Sequence, residues 1–250
     1  LFNPVRSAVF FTGTSPHVQC TQNAFVQIVA ERLGLSPERI RVVQGDTLAI
    51  PYGMGTAGSR TLSVGGSAVL KAADQVRAKM QKIAAHLLEA APEDIDLLQQ
   101  GWGVRGTDKA VSLEQIIATA FSPRKLPPEM EPGLEGHASF ALKDANYPFG
   151  AHLAMVEVDP ETGQVRILRY IAVDDCGVVV NPLLFEGQQH GGIAQGIGQA
   201  LYEGILYDAE GQNLTASLLE YALPRADQIP PMETHRHQTP SPTKPLGVKG

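Results

Sequence analysis

Apolar and polar positions alternate with a helical period in the middle of the chain. From position 69 to position 87 an apolar side chain returns at every third or fourth residue, with lysine and glutamine between. This spacing puts the apolar side chains on one face of a helix. Pro92 cannot continue a helix, so we expect this one to end before it.

A strand, a helix and a second strand are predicted ahead of this segment. Residues 7–12 and 40–44 are rich in β-branched and aromatic side chains, which favour strands. Between them, residues 25–33 place apolar side chains at helical spacing, and Gly34 is a typical helix end. Further on, Ser112 with Gln115 three residues later forms a capping-box pattern and predicts another helix start.

The second half of the chain has mainly β character. Four prolines fall within residues 122–136, which we expect to be an exposed connection. The segments after it have these predicted structures: strands at 138–142, 151–158, 165–173 and 204–207, a hairpin loop at 159–163, a Gly-rich helix at 183–201, a helical turn at 216–223 and an extended tail at 224–245. Glycines weaken a helix, so either something approaches the backbone of residues 183–201 closely or the helix is broken there.

These elements predict an α+β fold with two layered subdomains of mixed sheets and helices. We expect the first part at residues 1–121, the connection at 122–136 and the second part at 137–250. A chain of 250 residues with 43% hydrophobic content can bury a sizeable core.

Charge and cysteine content exclude several function classes. The net charge of −6 has no long run of one sign, which disfavours nucleic acid and anionic membranes as partners. Cys20 and Cys176 are far apart and form no CxxC pair, so neither a structural zinc site nor a disulfide framework is predicted. We expect a reducing, cytoplasmic location and no membrane span. The chain starts without methionine and ends in a Gly-rich turn, so we also expect an excised piece.

The stretch at residues 52–61 (Tyr-Gly-Met-Gly-Thr-Ala-Gly-Ser-Arg-Thr) is built for close approach of a ligand. Its glycines lack Cβ atoms, its hydroxyls can donate or accept hydrogen bonds, and the helix that follows offers unpaired N–H groups. Such a place suits an anion, above all a phosphate. The alternative is a small-residue loop that only turns the chain before a tightly packed helix.

Several motifs, taken in order, resemble one family. They are Thr-Gly-Thr-Ser-Pro-His at 12–17, Val-Gln-Gly-Asp-Thr at 43–47, the Gly-rich stretch at 51–60, Asp-Asp-Cys-Gly at 174–177 with Asn-Pro at 181–182, and Gly-Gln-Gln-His-Gly-Gly-Ile-Ala-Gln-Gly-Ile-Gly at 187–198. Together they resemble the molybdenum-binding large subunit of the molybdenum hydroxylases, the group of xanthine dehydrogenase, aldehyde oxidase and aerobic carbon monoxide dehydrogenase. Pro16-His17 and residues 221–224 are most similar to the bacterial carbon monoxide dehydrogenase-like branch.

The resemblance implies a cofactor and the residues that hold it. The matching loop of the family wraps molybdopterin, in bacteria usually the cytosine dinucleotide form. The implied contact residues of the loop are Gly55, Thr56, Ala57, Gly58, Ser59, Arg60 and Thr61. Gln19 matches a cofactor-holding glutamine, and Gln195 matches a glutamine beside the metal that donates a hydrogen bond to an oxo ligand. We predict no direct metal ligand from this chain.

Two departures from the family pattern concern the site. The usual Gly-Gln-Gly-His is Val-Gln-Cys-Thr at residues 18–21, with a β-branched side chain and a thiol where the family keeps flexible backbone. The family's general base is a glutamate in a Val-Gly-Glu motif directly after a segment like 247–250. We expect His17, His152 and His190 to be structural and Asp174-Asp175 to cap a turn. The fragment alone is therefore expected not to turn over substrate.

The implied activity is oxidative hydroxylation of an aldehyde, an N-heterocycle or a CO-like small molecule. The implied partners are an iron–sulfur small subunit with 2Fe-2S clusters and an FAD medium subunit, in a dimer of heterotrimers. Two alternatives remain at this stage. One is a structural or cofactor-carrying domain without catalysis, and the other is a small-molecule-binding α+β module unrelated to molybdenum.

Overall fold

Two parallel strands open the fold, joined by a helix. In the computed structural model, β1 (Ala8–Thr12) pairs with β2 (Ile40–Gln44), from Ala8 opposite Ile40 to Thr12 opposite Gln44. Helix α1 (Thr21–Leu33) connects them and ends at Gly34, whose positive φ of 67° suits glycine. The predicted strand, helix and strand are thus confirmed.

A long helix forms the centre of the same region. Helix α2 (Ser67–Leu88) continues directly from a π-helical turn at Thr61–Gly66. Val76, Met80 and Ile83 lie on its buried face, and Met80 and Ile83 are completely buried. The apolar period in the sequence therefore predicted both the helix and its core-facing side.

A small antiparallel sheet and a short helix pack beside α2. Strands β3 (Ile95–Leu98), β4 (Gly101–Val104) and β5 (Ala110–Val111) form the sheet, in a region whose structure the sequence did not predict. Helix α3 (Leu113–Ala120) begins with the predicted capping box: Gln115 N donates to Ser112 Oγ at 3.2 Å, and Ser112 N donates to Gln115 Oε1 at 2.8 Å.

A second sheet is formed later in the chain. Strands β6 (Phe149–Val158) and β7 (Val165–Asp175) form the predicted hairpin, and β8 (Met232–His237) adds to β7 in parallel. Helix α4 (Pro182–Leu201) covers one face of this sheet, where Ala172, Ile193 and Ile197 are buried together. On β6, by contrast, Phe149, Leu153 and Met155 are about half exposed.

Three predicted segments differ in the structure. Residues 138–142 are irregular and pair with no strand among the described residues. Residues 204–207 contribute only an isolated bridge between Tyr207 and Asn213. The tail at 224–245 contains β8, which a proline-rich context concealed.

The structure describes residue 2 and residues 7–98, 101–145 and 147–249. It divides into two compact units, Leu1–Asn146 with Pro240–Gly250 and Tyr147–Thr239. The predicted connection at 122–136 lies inside the first unit; the predicted parts of the molybdopterin-binding domain stay a prediction. Among the described helices, none is both long and apolar enough to cross a membrane.

Candidate functional site

Two loops of the first unit cross at glycines. A Cβ atom on Gly53 would lie 2.3 Å from the carbonyl oxygen and 2.4 Å from the Cα of Gly13. One on Gly13 would lie 2.5 Å from the Cα of Gly53. Gly55 N also donates to Gly13 O at 3.0 Å. The loop after β1 therefore fixes the Gly-rich stretch by backbone contact that only glycine permits.

Threonine hydroxyls complete this attachment. Thr56 Oγ1 donates to Ser15 O at 2.7 Å and accepts from Ser15 N at 3.2 Å. Thr61 Oγ1 donates to Thr56 Oγ1 at 3.0 Å. A hydroxyl has one donor and two acceptor lone pairs, so that of Thr56 is fully used within the chain. Thr56 and Thr61 hold the loop in shape, and direct cofactor contact by them stays a prediction.

Beside this loop lies a cavity of about 400 Å³ within the first unit. The lining residues are Ala57, Gly58, Ser59, Arg60, Ser63, Leu142 and Lys249. Gly58 has a positive φ of 61°, and a Cβ placed on it would meet no atom within 4 Å. In the described part of the chain the N–H groups of Ala57, Gly58 and Ser59 donate no hydrogen bond. Backbone donors without a partner among the described residues thus lie beside this cavity, and Arg60 and Lys249 are among the residues that line it.

The predicted glutamine loop adopts the backbone that glycine favours. Val18 and Cys20 have φ values of 68° and 56°, in the left-handed region. This region costs about 1–2 kcal/mol for a residue with a side chain, which explains glycine at these places in the family pattern. Between them, Gln19 Oε1 accepts from His17 N at 3.0 Å. The two departures from the pattern are therefore accommodated with strain, and a cofactor contact by Gln19 stays a prediction.

Gln195 belongs to the second unit and is exposed on α4. The buried side chains of this helix, Ile193 and Ile197, lie two residues to either side of it, so Gln195 is on the opposite face. The helix is unbroken despite its glycines. At four of them a Cβ atom would have no described atom within 4 Å. These are Gly187, Gly191, Gly192 and Gly196. The catalytic role of Gln195 stays a prediction.

A polar network joins α4 to the sheet. Asp174 accepts from Gln189 Nε2 at 2.7 Å, and its carboxylate oxygens lie 3.2 Å from His152 Nε2. Gly150 leaves room for this carboxylate, because a Cβ there would lie 2.0 Å from Asp174 Oδ1. These contacts link His152 to Asp174, and the structural role of His152 stays a prediction.

The neighbouring Asp175 has the turn-capping role expected of the pair. It is buried, with 2% of its surface exposed. Its carboxylate accepts from Gly177 N at 2.7 Å and from Thr239 N at 3.0 Å. Of the two aspartates, therefore, Asp175 caps the turn and Asp174 binds side chains of β6 and α4.

The end of α4 is fixed by the segment that follows it. A Cβ on Gly198 would lie 2.4 Å from Glu203 Oε1 and 2.9 Å from Pro224 Cδ. Tyr221 Oη donates to Glu203 Oε2 at 2.7 Å, and this hydrogen bond raises the pKa of Tyr221. Gly198 is thus the one glycine of α4 whose backbone the chain itself approaches closely within the described residues.

Most of the chain matches the model of one protein family. The model of the molybdopterin cofactor-binding domain matches residues 2–230. The chain belongs to the molybdopterin cofactor-binding domain family. The suspected resemblance is confirmed, and an unrelated small-molecule-binding module is excluded.

Two proteins with similar sequences are the large chain of one dehydrogenase and a subunit of another. The carbon monoxide dehydrogenase large chain of Hydrogenophaga pseudoflava is 40% identical over 99% of this chain and 31% of its own. Subunit gamma of the 6-hydroxypseudooxynicotine dehydrogenase complex of Paenarthrobacter nicotinovorans is 40% identical over 96% of this chain and 30% of its own. The chain therefore spans about 31% of the length of such relatives.

The fold agrees with a solved member of the family. A crystal structure of the Cu,Mo-CO dehydrogenase superposes on all of this chain, over 31% of its own, with a TM-score of 0.92 and 36% identity. This confirms the predicted mixed α+β architecture.

The cavity fits the anionic end of a molybdopterin cofactor. Phosphate is commonly bound by free backbone N–H groups and by arginine, and this cavity is lined by both. Gly58 has no side chain that would keep a phosphate away.

Within residues 2, 7–98, 101–145 and 147–249, no cluster of three or more His, Cys, Asp and Glu side chains is placed to hold a metal ion.

Sequence reasoning missed part of the cavity wall. Ser63 follows the predicted loop and could have been included by its position at the helix start. Leu142 and Lys249 are remote in sequence from residues 57–63. Only the fold brings these segments together, and no local motif predicts that they meet.

Proposed function

We propose that the Gly-rich loop at residues 55–61 and the helix start after it hold the phosphate end of a molybdopterin cofactor, in its cytosine dinucleotide form. The observation that carries this proposal is the cavity, lined by Gly58, Ser59 and Arg60 in a chain of the molybdopterin cofactor-binding domain family. The N–H groups of Ala57, Gly58 and Ser59 would donate to phosphate oxygens. Arg60 would pair with the phosphate charge.

The loop needs its present shape for this role. Gly55 and Thr56 are attached to the loop after β1 through Gly13 and Ser15. Thr61 binds Thr56 from the start of the helix. Donors fixed before binding do not lose conformational entropy when the ligand arrives. These residues would therefore contribute to affinity by holding the N–H groups in place.

Two glutamines would contact other parts of the cofactor. Gln19 uses its Oε1 to accept from His17 N, and its amide NH₂ donates no hydrogen bond to the described residues. That NH₂ group would donate to the cofactor. Gln195, exposed on α4, would donate to an oxo group at the metal.

We further propose that the chain is part of a molybdenum hydroxylase. When bound, the cofactor supplies the redox chemistry for oxidative hydroxylation of a small aldehyde, N-heterocycle or CO-like molecule. The chain's own residues would bind and orient it, and a glutamate following Gly250 in a longer polypeptide would take the proton. The relatives, a large chain of one dehydrogenase and a subunit of another dehydrogenase complex, favour this enzyme over a non-catalytic carrier.

These relatives, a large chain and a complex subunit, also support a multi-subunit assembly. Our proposal assigns 2Fe-2S clusters to a small subunit and FAD to a medium subunit, with two such heterotrimers in a cytoplasmic dimer.

Replacing Arg60 by alanine is expected to weaken cofactor binding at least about tenfold, because one charge-assisted contact to phosphate contributes about 1.5–3 kcal/mol. The protein that carries residues 1–250 would be purified from a host that makes the cofactor. Molybdenum and released cytidine monophosphate would be measured per chain after gel filtration. Arg124→Ala removes an exposed arginine away from the cavity and serves as the control. Equal cofactor retention by the Arg60 and Arg124 variants would contradict the proposal.

A further inference from the structure

Lys244 is a buried lysine without a carboxylate partner in the described part of the chain. Only 5% of its surface is exposed. Its Nζ donates to Asp144 O at 3.3 Å and to Thr243 Oγ1 at 3.1 Å, and both of these acceptors are uncharged. None of the ion pairs among the described residues includes Lys244. Because burying a charge costs free energy, these two hydrogen bonds are what stabilises the lysine in its buried position.

The chain passes between its two units twice, and Lys244 joins the two crossings on the side of the first unit. The chain leaves this unit after residue 146 and returns to it at Pro240. Asp144 lies just before the first crossing, and Lys244 lies just after the second. The hydrogen bond from Lys244 Nζ to Asp144 O therefore ties together two connecting segments that are 100 positions apart in sequence.

On the side of the second unit, the same two segments meet at the end of β7. Asp175, the last residue of β7, lies opposite Phe149 of β6 and opposite His237 of β8. Its carboxylate also accepts from Thr239 N at 3.0 Å. The first and last strands of this unit are therefore held beside each other by β7, and Lys244 closes the double connection at its other end.

Little else holds the first connecting segment. Before it, the chain is attached to α2, where His137 N donates to Gln75 Oε1 at 2.9 Å. Among residues 141–145, all of them described, the hydrogen bond that Asp144 O accepts from Lys244 is the only one. The position of this segment beside Lys244 thus depends on a single polar contact.

The second connecting segment has further attachments. Ser241 N donates to Gly247 O at 2.9 Å, and Val248 is buried, with 1% of its surface exposed. Leu246 Cδ1 lies 2.9 Å from the position of a Cβ on Gly66, just before α2. Lys244 therefore reaches from a firmly packed segment to a loosely held one.

We propose that Lys244 is a clamp, a side chain whose hydrogen bond keeps the two connecting segments together, and that its loss lets residues 141–145 open while the rest of the first unit stays folded. Local opening of this kind has its own free energy, which is smaller than that of global unfolding. The inference goes beyond the proposed function and does not depend on a bound cofactor.

Trypsin cleavage measures the opening in the protein that carries residues 1–250. Trypsin cuts after lysine and arginine, and Lys143 directly precedes Asp144. Lys244→Met removes the donor and keeps a long side chain. Cleavage after Lys143 should become at least about tenfold faster, because the segment loses a hydrogen bond from a charged donor and cleavage follows the population of the open form. Cleavage after Arg124, an exposed residue outside both connecting segments, is the internal reference and should change less than about twofold.

Thr243→Val is the matched control variant. It removes one acceptor of Lys244 and leaves the hydrogen bond to Asp144 O, so cleavage after Lys143 should change less than about threefold. The fluorescence of the buried Trp102 confirms that each variant is folded. Should Lys244→Met not fold, Lys244→Gln, whose side chain is shorter, is expected to give the same acceleration. Unchanged cleavage after Lys143, or equal acceleration after Lys143 and after Arg124, would refute the clamp.

Discussion

Replacing Gly53 by alanine is expected to lower the free energy of unfolding of the first unit by about 3 kcal/mol, because the new methyl group has no space. The atoms in its way are the carbonyl oxygen, Cα and carbonyl carbon of Gly13, at 2.3, 2.4 and 2.7 Å. These are backbone atoms and cannot rotate aside. The two loops must separate, which also breaks the hydrogen bond from Gly55 N to Gly13 O.

Urea unfolding followed by tryptophan fluorescence measures this effect. Trp102 is the single tryptophan of the sequence and is buried in the first unit, so its emission reports on that unit. Gly58→Ala, in the same loop, is the matched control: its Cβ meets no atom within 4 Å, and only its positive φ is unfavourable. It should cost about 1 kcal/mol. Equal losses for Gly53→Ala and Gly58→Ala would show that the loops do not cross as described.

Gly150→Ala is expected to destabilise the second unit by about 2 kcal/mol, because it removes the space that the Asp174 carboxylate occupies. The new Cβ would lie 2.0 Å from Asp174 Oδ1 and 2.8 Å from the backbone oxygen of Val173. Displacing the Asp174 carboxylate would disturb its hydrogen bond from Gln189. The links from Asp174 of β7 to His152 of β6 and to Gln189 of α4 would weaken, and with them the support of the helix that carries Gln195.

Hydrogen exchange followed by mass spectrometry on peptides of β6 and α4 measures this loss. The control is Gly187→Ala on α4, whose Cβ would meet no described atom within 4 Å. Alanine is the better helix former by up to about 1 kcal/mol, so this variant should slow exchange in α4. Faster exchange in Gly187→Ala, or unchanged exchange in Gly150→Ala, would contradict the described network.

Local patterns in the sequence predicted the elements whose stability depends on local features. The apolar period of α2, the glycine after α1 and the capping box at Ser112 each act within a few residues, and each is found in the structure. Strand β8 was missed because its partner β7 is remote in sequence and its own residues, Met-Glu-Thr-His-Arg-His, show no apolar alternation. The strands predicted at 138–142 and 204–207 are not formed. Their composition favours a strand, but β-branched or aromatic content alone does not supply a partner strand.

The candidate site shows the same division. The Gly-rich loop and Arg60 were predicted from one contiguous motif. The sequence did not predict which residues of the loop hold its shape. The Thr56 hydroxyl does so through hydrogen bonds with Ser15, which is remote in sequence. The positions of Leu142 and Lys249 in the cavity wall were not predicted for the same reason. The family pattern showed that Val18 and Cys20 stand at positions where glycine is usual. Their positive φ angles, and therefore the strain, are seen only in the structure.

A crystal structure of the cofactor-loaded protein that contains this chain tests the central proposal most directly. The proposal predicts cofactor phosphate oxygens within about 3 Å of the N–H groups of Gly58 and Ser59 and of the Arg60 guanidinium. A structure in which the cofactor is bound, its phosphates contact other residues and solvent alone fills the cavity would contradict it.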